Sequence, residues 1–191
     1  VLQRGLGGIK KNLDRLVEKG KLSLADCEAV SNRIKPSDAI RGIEKAELVI
    51  EAVIEDLAIK QGIFRQLDVA TRSQAVLATN TSSLSVSKIA EVIRDPSRVV
   101  GMHFFNPVAV MPLVEIVAGR QSDPAAVDLA FTTAVAWGKT AVRAKDTPGF
   151  IVNRVARGYY LEALRLLGEG VAGIDEIDNA MRVHGGFKMG P

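Results

Sequence analysis

Two residues near the middle of the chain combine the side chains that catalysis by proton transfer uses. His103 is one of only two histidines among the 191 residues, and Glu115 follows it inside an apolar run. Histidine is the residue whose ordinary pKa lies nearest to neutral pH, which makes it a natural proton acceptor. A carboxylate bonded to its far nitrogen would fix the tautomer and stabilise the imidazolium. We therefore expect His103 to act as a general base that Glu115 orients.

A purely structural role for the histidine competes with this hypothesis. A single histidine at the end of a strand is more often an ordinary structural residue, so its type alone does not decide. Glu115 strengthens the catalytic interpretation, because its nearest neighbours are apolar and buried carboxylates are rare unless they are paired. The pairing requires two neighbouring strands, which the turn at residues 106–112 permits.

Four further polar residues could contact a ligand. Ser82 follows a predicted strand, although a helix cap or a turn is its more ordinary role. Asn153 lies in the first turns of an apolar helix, where a buried amide needs a partner such as a substrate or the backbone. Glu55 and Lys60 are spaced to pair along one helix, either within a site or as a solvated salt bridge that contributes little. His184 has no matching carboxylate and is predicted to have no function.

The composition is that of an ordinary globular protein and excludes several other classes. Hydrophobic residues make up 47% and charged residues 25%, and the net charge is +3 with dispersed Lys and Arg, so no nucleic-acid partner is expected. The single cysteine, Cys27, excludes an internal disulfide framework and favours a reducing, cytoplasmic setting. One cysteine and two distant histidines do not form a metal site. No apolar run is long enough to cross a bilayer, so no membrane partner is expected.

Strands and helices alternate along most of the chain. Strands are predicted at residues 33–37, 46–54, 75–79, 99–104, 113–117 and 140–143. Helices are predicted at residues 1–20, 24–31, 57–71, 86–93 and 123–137, with caps at Ser23 and Asp56. This alternation indicates an α/β fold with a parallel, doubly wound sheet, which binds ligands outside the carboxyl ends of its strands. Three polar loops, after residues 52, 79 and 105, are expected at those ends.

The pattern changes at residues 146–149, and we place a domain boundary there, between residues 1–145 and 146–191. Thr147 and Pro148 are typical of the cap and first turn of a helix. The helix predicted at residues 150–167 is apolar on most faces, as in helices buried between elements or at a subunit interface. A last helix is predicted at residues 174–183. Because the chain begins without Met and ends without a closing element, we expect a fragment of a longer protein.

Five motifs in this order and spacing resemble those of one enzyme family over nearly the whole chain. The chain is similar to the NAD-dependent L-3-hydroxyacyl-CoA dehydrogenases, of the 3-hydroxybutyryl-CoA dehydrogenase type. The motifs are NTSSL at residues 80–84, HFFNPV at 103–108, LVE at 113–115, DTPGFIVNR at 146–154 and MGP at 189–191.

The resemblance implies a partial Rossmann-type sheet in residues 1–145 and the start of an all-α domain in residues 146–191. In this family the second domain completes the substrate cleft and forms the homodimer. NAD is the implied cofactor, and the implied reaction oxidises the 3-hydroxyl of an acyl-CoA in fatty acid metabolism, as in β-oxidation. A short-chain or dicarboxylic acyl group is expected.

The resemblance also assigns roles to individual residues. His103 would take the proton from the 3-hydroxyl while hydride passes from C3 to the nicotinamide ring, with Glu115 orienting the base. Ser82 and Asn153 match the partners of the substrate's hydroxyl and thioester region. The positions that touch NAD in the family correspond to Ala52, Glu55, Lys60, Ser82 and Asn106.

Parts of the family pattern are missing from this sequence. The first strand, the glycine-rich phosphate loop and the acidic residue for the adenosine ribose are absent, and these pieces form the pyrophosphate site. The preference for NAD over NADP therefore depends on the resemblance alone. Two alternatives stay open: a non-catalytic structural or interaction module with this fold, and a dehydrogenase of another 3-hydroxy acid.

Overall fold

The chain forms two compact units. The structure, a computed structural model, describes residues 2–40 and 42–191. The first unit ends at Lys45, and the second comprises Ala46–Pro191. The predicted division at residue 146 stays a prediction.

Two helices, α1 (Leu2–Glu18) and α2 (Leu24–Arg33), make up most of the first unit. Ser23 caps α2 as predicted, because its hydroxyl accepts a hydrogen bond from the backbone N–H of Asp26. The strand predicted at residues 33–37 is wrong: α2 includes Arg33, and the following extended residues pair with no strand of the described chain. Val1, at the start of the first predicted helix, lies outside the described residues.

A five-stranded sheet forms the centre of the second unit. Its strands lie in the order β1 (Leu48–Glu51), β2 (Val76–Thr79), β3 (Val99–Phe104), β4 (Leu113–Ala118) and β5 (Thr140–Lys145). The predicted α/β class is confirmed, with parallel pairing between β1 and β2, β2 and β3, and β4 and β5.

The prediction of an entirely parallel sheet is wrong at one position. Strands β3 and β4 run antiparallel, with His103 opposite Glu115 in the register. Only residues 105–112 join them, and this connection is too short for the crossover that a parallel pair requires. Directly opposite residues project from the same face of the sheet, so the antiparallel pairing places the two side chains together. The adjacent strands that the proposed pair requires are therefore present.

Helices cover the sheet and connect its strands. The second unit contains α3 (Leu57–Ala70), α4 (Val86–Ala90), α5 (Pro124–Ala136), α6 (Val152–Gly168) and α7 (Ile174–Asn179), with a 3₁₀ turn at Pro96–Arg98 and a π-helical stretch at Ala180–His184. Asp56 caps α3 as predicted, by accepting a hydrogen bond from Ile59 N–H. Helix α5 packs on a core of apolar side chains, mostly β-branched, contributed by β2, β3 and β4.

The predicted cap of the long helix is wrong. Helix α6 begins five residues beyond Thr147, because Gly149 (φ 75°) and Phe150 (φ 48°) both adopt left-handed conformations that a helix cannot contain. No residue of α6 is fully buried, and several large apolar side chains on it are exposed: Val155, Tyr160, Leu161, Leu164 and Leu167. Among residues 2–40 and 42–191, no helix is long and apolar enough to cross a membrane.

Candidate active site

The predicted site residues lie at one edge of the sheet, the edge formed by the carboxyl ends of β1, β2 and β3. Since β1, β2 and β3 are parallel, the loops that follow Glu51, Thr79 and Phe104 all leave from the same side. This arrangement confirms the expectation that the three polar loops occupy the carboxyl ends of the strands, where α/β sheets bind ligands.

His103 and Glu115 form a buried hydrogen-bonded pair. The Nδ1 atom of His103 lies 2.7 Å from Oε2 of Glu115, and the two residues are 4% and 0% exposed. The other carboxylate oxygen, Oε1, accepts hydrogen bonds from the backbone N–H groups of Ile151 (2.9 Å) and Val152 (3.0 Å). Glu115 thus holds the imidazole of His103 and the beginning of α6 at the same time.

The second nitrogen of His103 is the atom left for chemistry. A proton on Nδ1 that is donated to Glu115 leaves a lone pair on Nε2. Nε2 bonds to none of the described residues, yet no buried side-chain nitrogen or oxygen among them lacks a partner, so Nε2 retains contact with solvent. Two aromatic rings contact the imidazole, with centroid distances of 4.6 Å for Phe105 and 5.6 Å for Phe150. The geometry therefore suits a general base with one accessible lone pair.

Glu55 joins the loops after β1 and β2. Its Oε1 accepts hydrogen bonds from the Thr81 hydroxyl (2.6 Å), from Ser82 N–H (2.8 Å) and from the N–H and hydroxyl of Ser83 (2.9 and 3.1 Å). Burial alone raises the pKa of Glu55, but the hydrogen bonds from Thr81, Ser82 and Ser83 outweigh it and lower the pKa to about 2. Glu55 is therefore ionised at neutral pH and fixes the conformation of the loop that contains Ser82.

Asn153 reaches the same loop from α6. Its side-chain amide donates a hydrogen bond to the carbonyl oxygen of Ser82, with a distance of 3.2 Å. Glu55, Ser82 and Asn153 thus form one continuous series of contacts, although the three residues are distant in sequence. Their roles toward a ligand stay predictions.

Lys60 lies inside the protein and does not form a solvated salt bridge. Its side chain is 0% exposed, and its ammonium lies 2.8 Å from Glu51 Oε1, 3.2 Å from the carbonyl oxygen of Val53 and 3.5 Å from Glu55 Oε2. Glu51 also accepts hydrogen bonds from Val53 N–H (2.6 Å) and the Thr79 hydroxyl (2.8 Å). Lys60 therefore bridges two carboxylates beneath the loop after β1.

Sequence reasoning gave no individual role to three buried or hydrogen-bonded polar residues. Glu51 and Asn80 lie at this edge, and Asp146 lies at the opposite one, where β5 ends beside Ala118 and the start of β3. Glu51 is a carboxylate within an apolar β-branched run, which is the signal that was used for Glu115 and could have identified it. Asn80 accepts a hydrogen bond from Phe104 N–H and joins the ends of β2 and β3. Asp146 accepts four hydrogen bonds from the Ser85 and Ser87 hydroxyls and from Val86 and Ser87 N–H. Burial raises the pKa of Asp146, but its hydrogen bonds, led by those from Ser87, lower it overall.

The edge also has features that fit a dinucleotide. Ala52, directly after β1, and Asn106, two residues after β3, are both exposed, and Ala52 is followed by the exposed apolar side chains of Val53 (42% exposed) and Ile54 (67%). Exposed apolar side chains next to polar loops can pack against a flat ring while the loops bind its polar groups. Within the described ranges, no group of three histidine, cysteine, aspartate or glutamate side chains is arranged to hold a metal ion.

Comparisons with known proteins agree with this geometry. Residues 1–147 match the family model of the 3-hydroxyacyl-CoA dehydrogenase NAD binding domain, and residues 149–191 match that of the C-terminal domain. NAD is thus the cofactor of the matched domain. The chain is 46% identical to the 3-hydroxyadipyl-CoA dehydrogenase of Escherichia coli and 37% identical to the 3-hydroxybutyryl-CoA dehydrogenase of Clostridioides difficile, in both cases over its whole length.

A solved structure shows the same fold. The crystal structure of the (S)-3-hydroxybutyryl-CoA dehydrogenase of Ralstonia eutropha superimposes with a TM-score of 0.97 at 37% identity, covering 100% of this chain and 67% of that one. The chain spans 40% of the length of the Escherichia coli relative and 68% of the Clostridioides difficile relative. The match of both family models and the identity to these relatives show that the chain belongs to the 3-hydroxyacyl-CoA dehydrogenase family.

Proposed function

We propose that the protein containing this chain oxidises the 3-hydroxyl of a (3S)-3-hydroxyacyl-CoA to the 3-oxoacyl-CoA, with NAD as hydride acceptor. The observation that carries the proposal is the buried His103–Glu115 pair, 2.7 Å apart, at the edge where three loops converge. A secondary alcohol releases hydride readily only if its hydroxyl proton leaves in the same process. A base held within hydrogen-bond reach of that hydroxyl meets this requirement.

Each residue of the site has a proposed task. Nε2 of His103 accepts the hydroxyl proton, and Glu115 keeps Nδ1 protonated and stabilises the imidazolium that results. Ser82 and Asn153, already joined at 3.2 Å, hold the hydroxyl and the thioester region of the substrate. NAD, when bound, supplies the carbon that accepts the hydride.

The loops after β1, β2 and β3 are proposed to hold the cofactor. Ala52, Ser82 and Asn106 present their backbone or side chains at the exposed surface of this edge. Glu55 and Lys60 contribute differently, because Lys60 is completely enclosed and one oxygen of Glu55 is occupied by loop hydrogen bonds. Their effect on the cofactor is to set the shape of the loops after β1 and β2.

The acyl group, the assembly and the compartment are further parts of the proposal. The names of the relatives favour a short or dicarboxylic acyl chain, since one acts on 3-hydroxyadipyl-CoA and another on 3-hydroxybutyryl-CoA. The exposed apolar side chains of α6 favour a homodimer that buries them. The single cysteine in 191 residues favours the cytoplasm.

Replacing the base tests the proposal. The full-length protein is assayed by NADH absorbance with 3-hydroxybutyryl-CoA and 3-hydroxyadipyl-CoA. We expect His103→Gln to lower kcat by about 10² to 10⁴-fold, because a glutamine cannot accept the proton. His184→Gln removes the other histidine, which is exposed, and should leave the rate unchanged. Normal turnover by His103→Gln would refute the mechanism.

A further inference from the structure

The linker between β5 and α6 contains an unusual backbone conformation. Gly149 (φ 75°) and Phe150 (φ 48°) follow one another in the left-handed region, and Phe150 is the one non-glycine residue with positive φ in the part of the chain that the structure describes. Any other residue at Gly149 would be strained, because φ is positive and its Cβ would lie only 3.1 Å from the backbone nitrogen of Arg154. For a bulky side chain such as phenylalanine, the left-handed region is a genuine outlier.

Contacts on both sides hold the linker in this conformation. Phe150 N–H donates a hydrogen bond of 2.9 Å to the carbonyl oxygen of Thr147. The next two N–H groups, of Ile151 and Val152, are bound by Glu115. Strained residues persist when their surroundings over-determine them, and they occur most often at functional sites.

The result of this conformation is the position of the Phe150 ring. The side chain is 4% exposed, and its ring centroid lies 5.6 Å from that of His103 at an interplanar angle of 58°. This separation and tilt fall in the range of favourable aromatic contacts. Glu115 bonds only Nδ1 of the imidazole, so rotation of the ring about its Cβ–Cγ bond is restricted also by the rings that pack on it, those of Phe105 and Phe150. The buried Phe150 ring in addition limits the access of water.

We propose that Phe150 is a positioning residue for His103: its strained backbone places an aromatic ring against the imidazole, holding Nε2 in the orientation that catalysis needs. The catalytic part of this inference rests on the proposed function. The same short linker thus acts on the histidine in two ways: Ile151 and Val152 hold its partner Glu115, and the Phe150 ring packs on the imidazole on which Phe105 also packs.

Two substitutions in the full-length protein test the role of Phe150. Phe150→Leu keeps an apolar side chain without an aromatic ring, whereas Phe150→Gly removes the ring and tolerates positive φ. The matched control is Phe131→Leu, which removes a partly buried ring elsewhere in the same unit. The Phe131 ring packs on the core, and its centroid lies 4.6 Å from Cζ of Arg143. Thermal unfolding identifies the variants that remain folded.

The first readout is independent of turnover. Diethyl pyrocarbonate modifies accessible imidazoles, and peptide mass spectrometry reads the modification separately at His103 and at the exposed His184, which serves as an internal reference. We expect the modification rate of His103, relative to His184, to rise about fivefold in Phe150→Leu and further in Phe150→Gly. The expected change corresponds to about 1 kcal/mol, the size of one aromatic contact. Phe131→Leu should show the wild-type ratio.

The second readout separates positioning from binding. In folded Phe150→Leu we expect kcat to fall about fivefold while KM for the acyl-CoA changes less than about twofold, since the ring acts on the base and not on the substrate. A wild-type modification ratio at His103 in either folded Phe150 variant would overturn the inference. An absence of acyl-CoA oxidation by the wild type would refute the proposed function, and the modification rates would then still decide the contact between Phe150 and His103.

Discussion

The buried ion pair between Lys60 and Glu51 leads to the sharpest prediction on stability. Both side chains are almost completely enclosed, with exposures of 0% and 1%, and their charged atoms are 2.8 Å apart. In Lys60→Met the apolar stem of the side chain is preserved and only the ammonium is removed. Glu51 would keep its hydrogen bonds from Val53 N–H and Thr79 but would lose its counter-charge.

The magnitude follows from the burial of the remaining charge. Removing one partner of a buried ion pair typically destabilises a protein by about 3–5 kcal/mol, because the other charge is left uncompensated. Lys60 also approaches Glu55 at 3.5 Å and the Val53 carbonyl oxygen at 3.2 Å, so its removal affects three groups. We therefore expect Lys60→Met to lower the free energy of unfolding by about 4 kcal/mol.

Urea unfolding of the full-length protein measures this change. The midpoint should shift to lower urea concentration at an unchanged slope, which shows that stability and not compactness has altered. Glu51→Gln combined with Lys60→Met removes both charges while keeping an oxygen for Val53 N–H. We expect the double variant to be more stable than Lys60→Met alone, since no unpaired charge remains.

Two outcomes would contradict this reasoning. A loss below about 1 kcal/mol in Lys60→Met would show that the pair behaves as a solvated salt bridge. Strict additivity of the two single substitutions in the double variant would show that Lys60 and Glu51 do not interact energetically.

Two further predictions concern carboxylates at opposite edges of the sheet. The pKa of Glu55 is lowered from 4.5 to about 2, so its ionised form stabilises the fold above pH 4.5 and this contribution is lost as the pH falls towards 2. The difference in unfolding free energy between the wild type and Glu55→Gln should therefore shrink on acidification; a difference constant from pH 6 to about 3 by urea unfolding would contradict this. Arg98, directly before β3, forms a buried salt bridge of 2.8 Å with Asp68, and Arg98→Leu removes this partner. We expect the free energy of unfolding to fall by about 3 kcal/mol in urea unfolding, while kcat of the folded variant stays at the wild-type value. A large drop in kcat would show that this distant edge influences the site.

The sequence predicted the parts of the site that depend on local chemistry. A carboxylate surrounded by apolar residues identified Glu115 as a buried, paired group, and the confirmed pairing of β3 with β4 placed it opposite His103. The alternation of strands and helices predicted the carboxyl-terminal edge as the site. Asp56 and Ser23 were identified as caps because capping depends on residues only three positions away.

The sequence could not predict the features that depend on contacts between distant residues. Thr147 is a typical helix-capping residue and is followed by a proline, but the backbone N–H groups at the start of α6 donate instead to Glu115 on strand β4. Glu55 and Lys60 were predicted to pair along one helix, but Glu55 precedes α3, and the burial of Lys60 depends on Glu51 and Val53 from the preceding strand and loop. The direction of β4 was missed because residues 113–117 have the same apolar character in either direction.

The two oxygens of Glu115 couple the position of His103 to the docking of α6 during folding. One oxygen holds the histidine and the other holds the first N–H groups of α6, so docking of that helix and correct placement of the base occur together. A nascent chain in which the helix has not yet docked would leave the carboxylate free to turn away from the imidazole. The proposed base would therefore reach its final orientation only when α6 is in place.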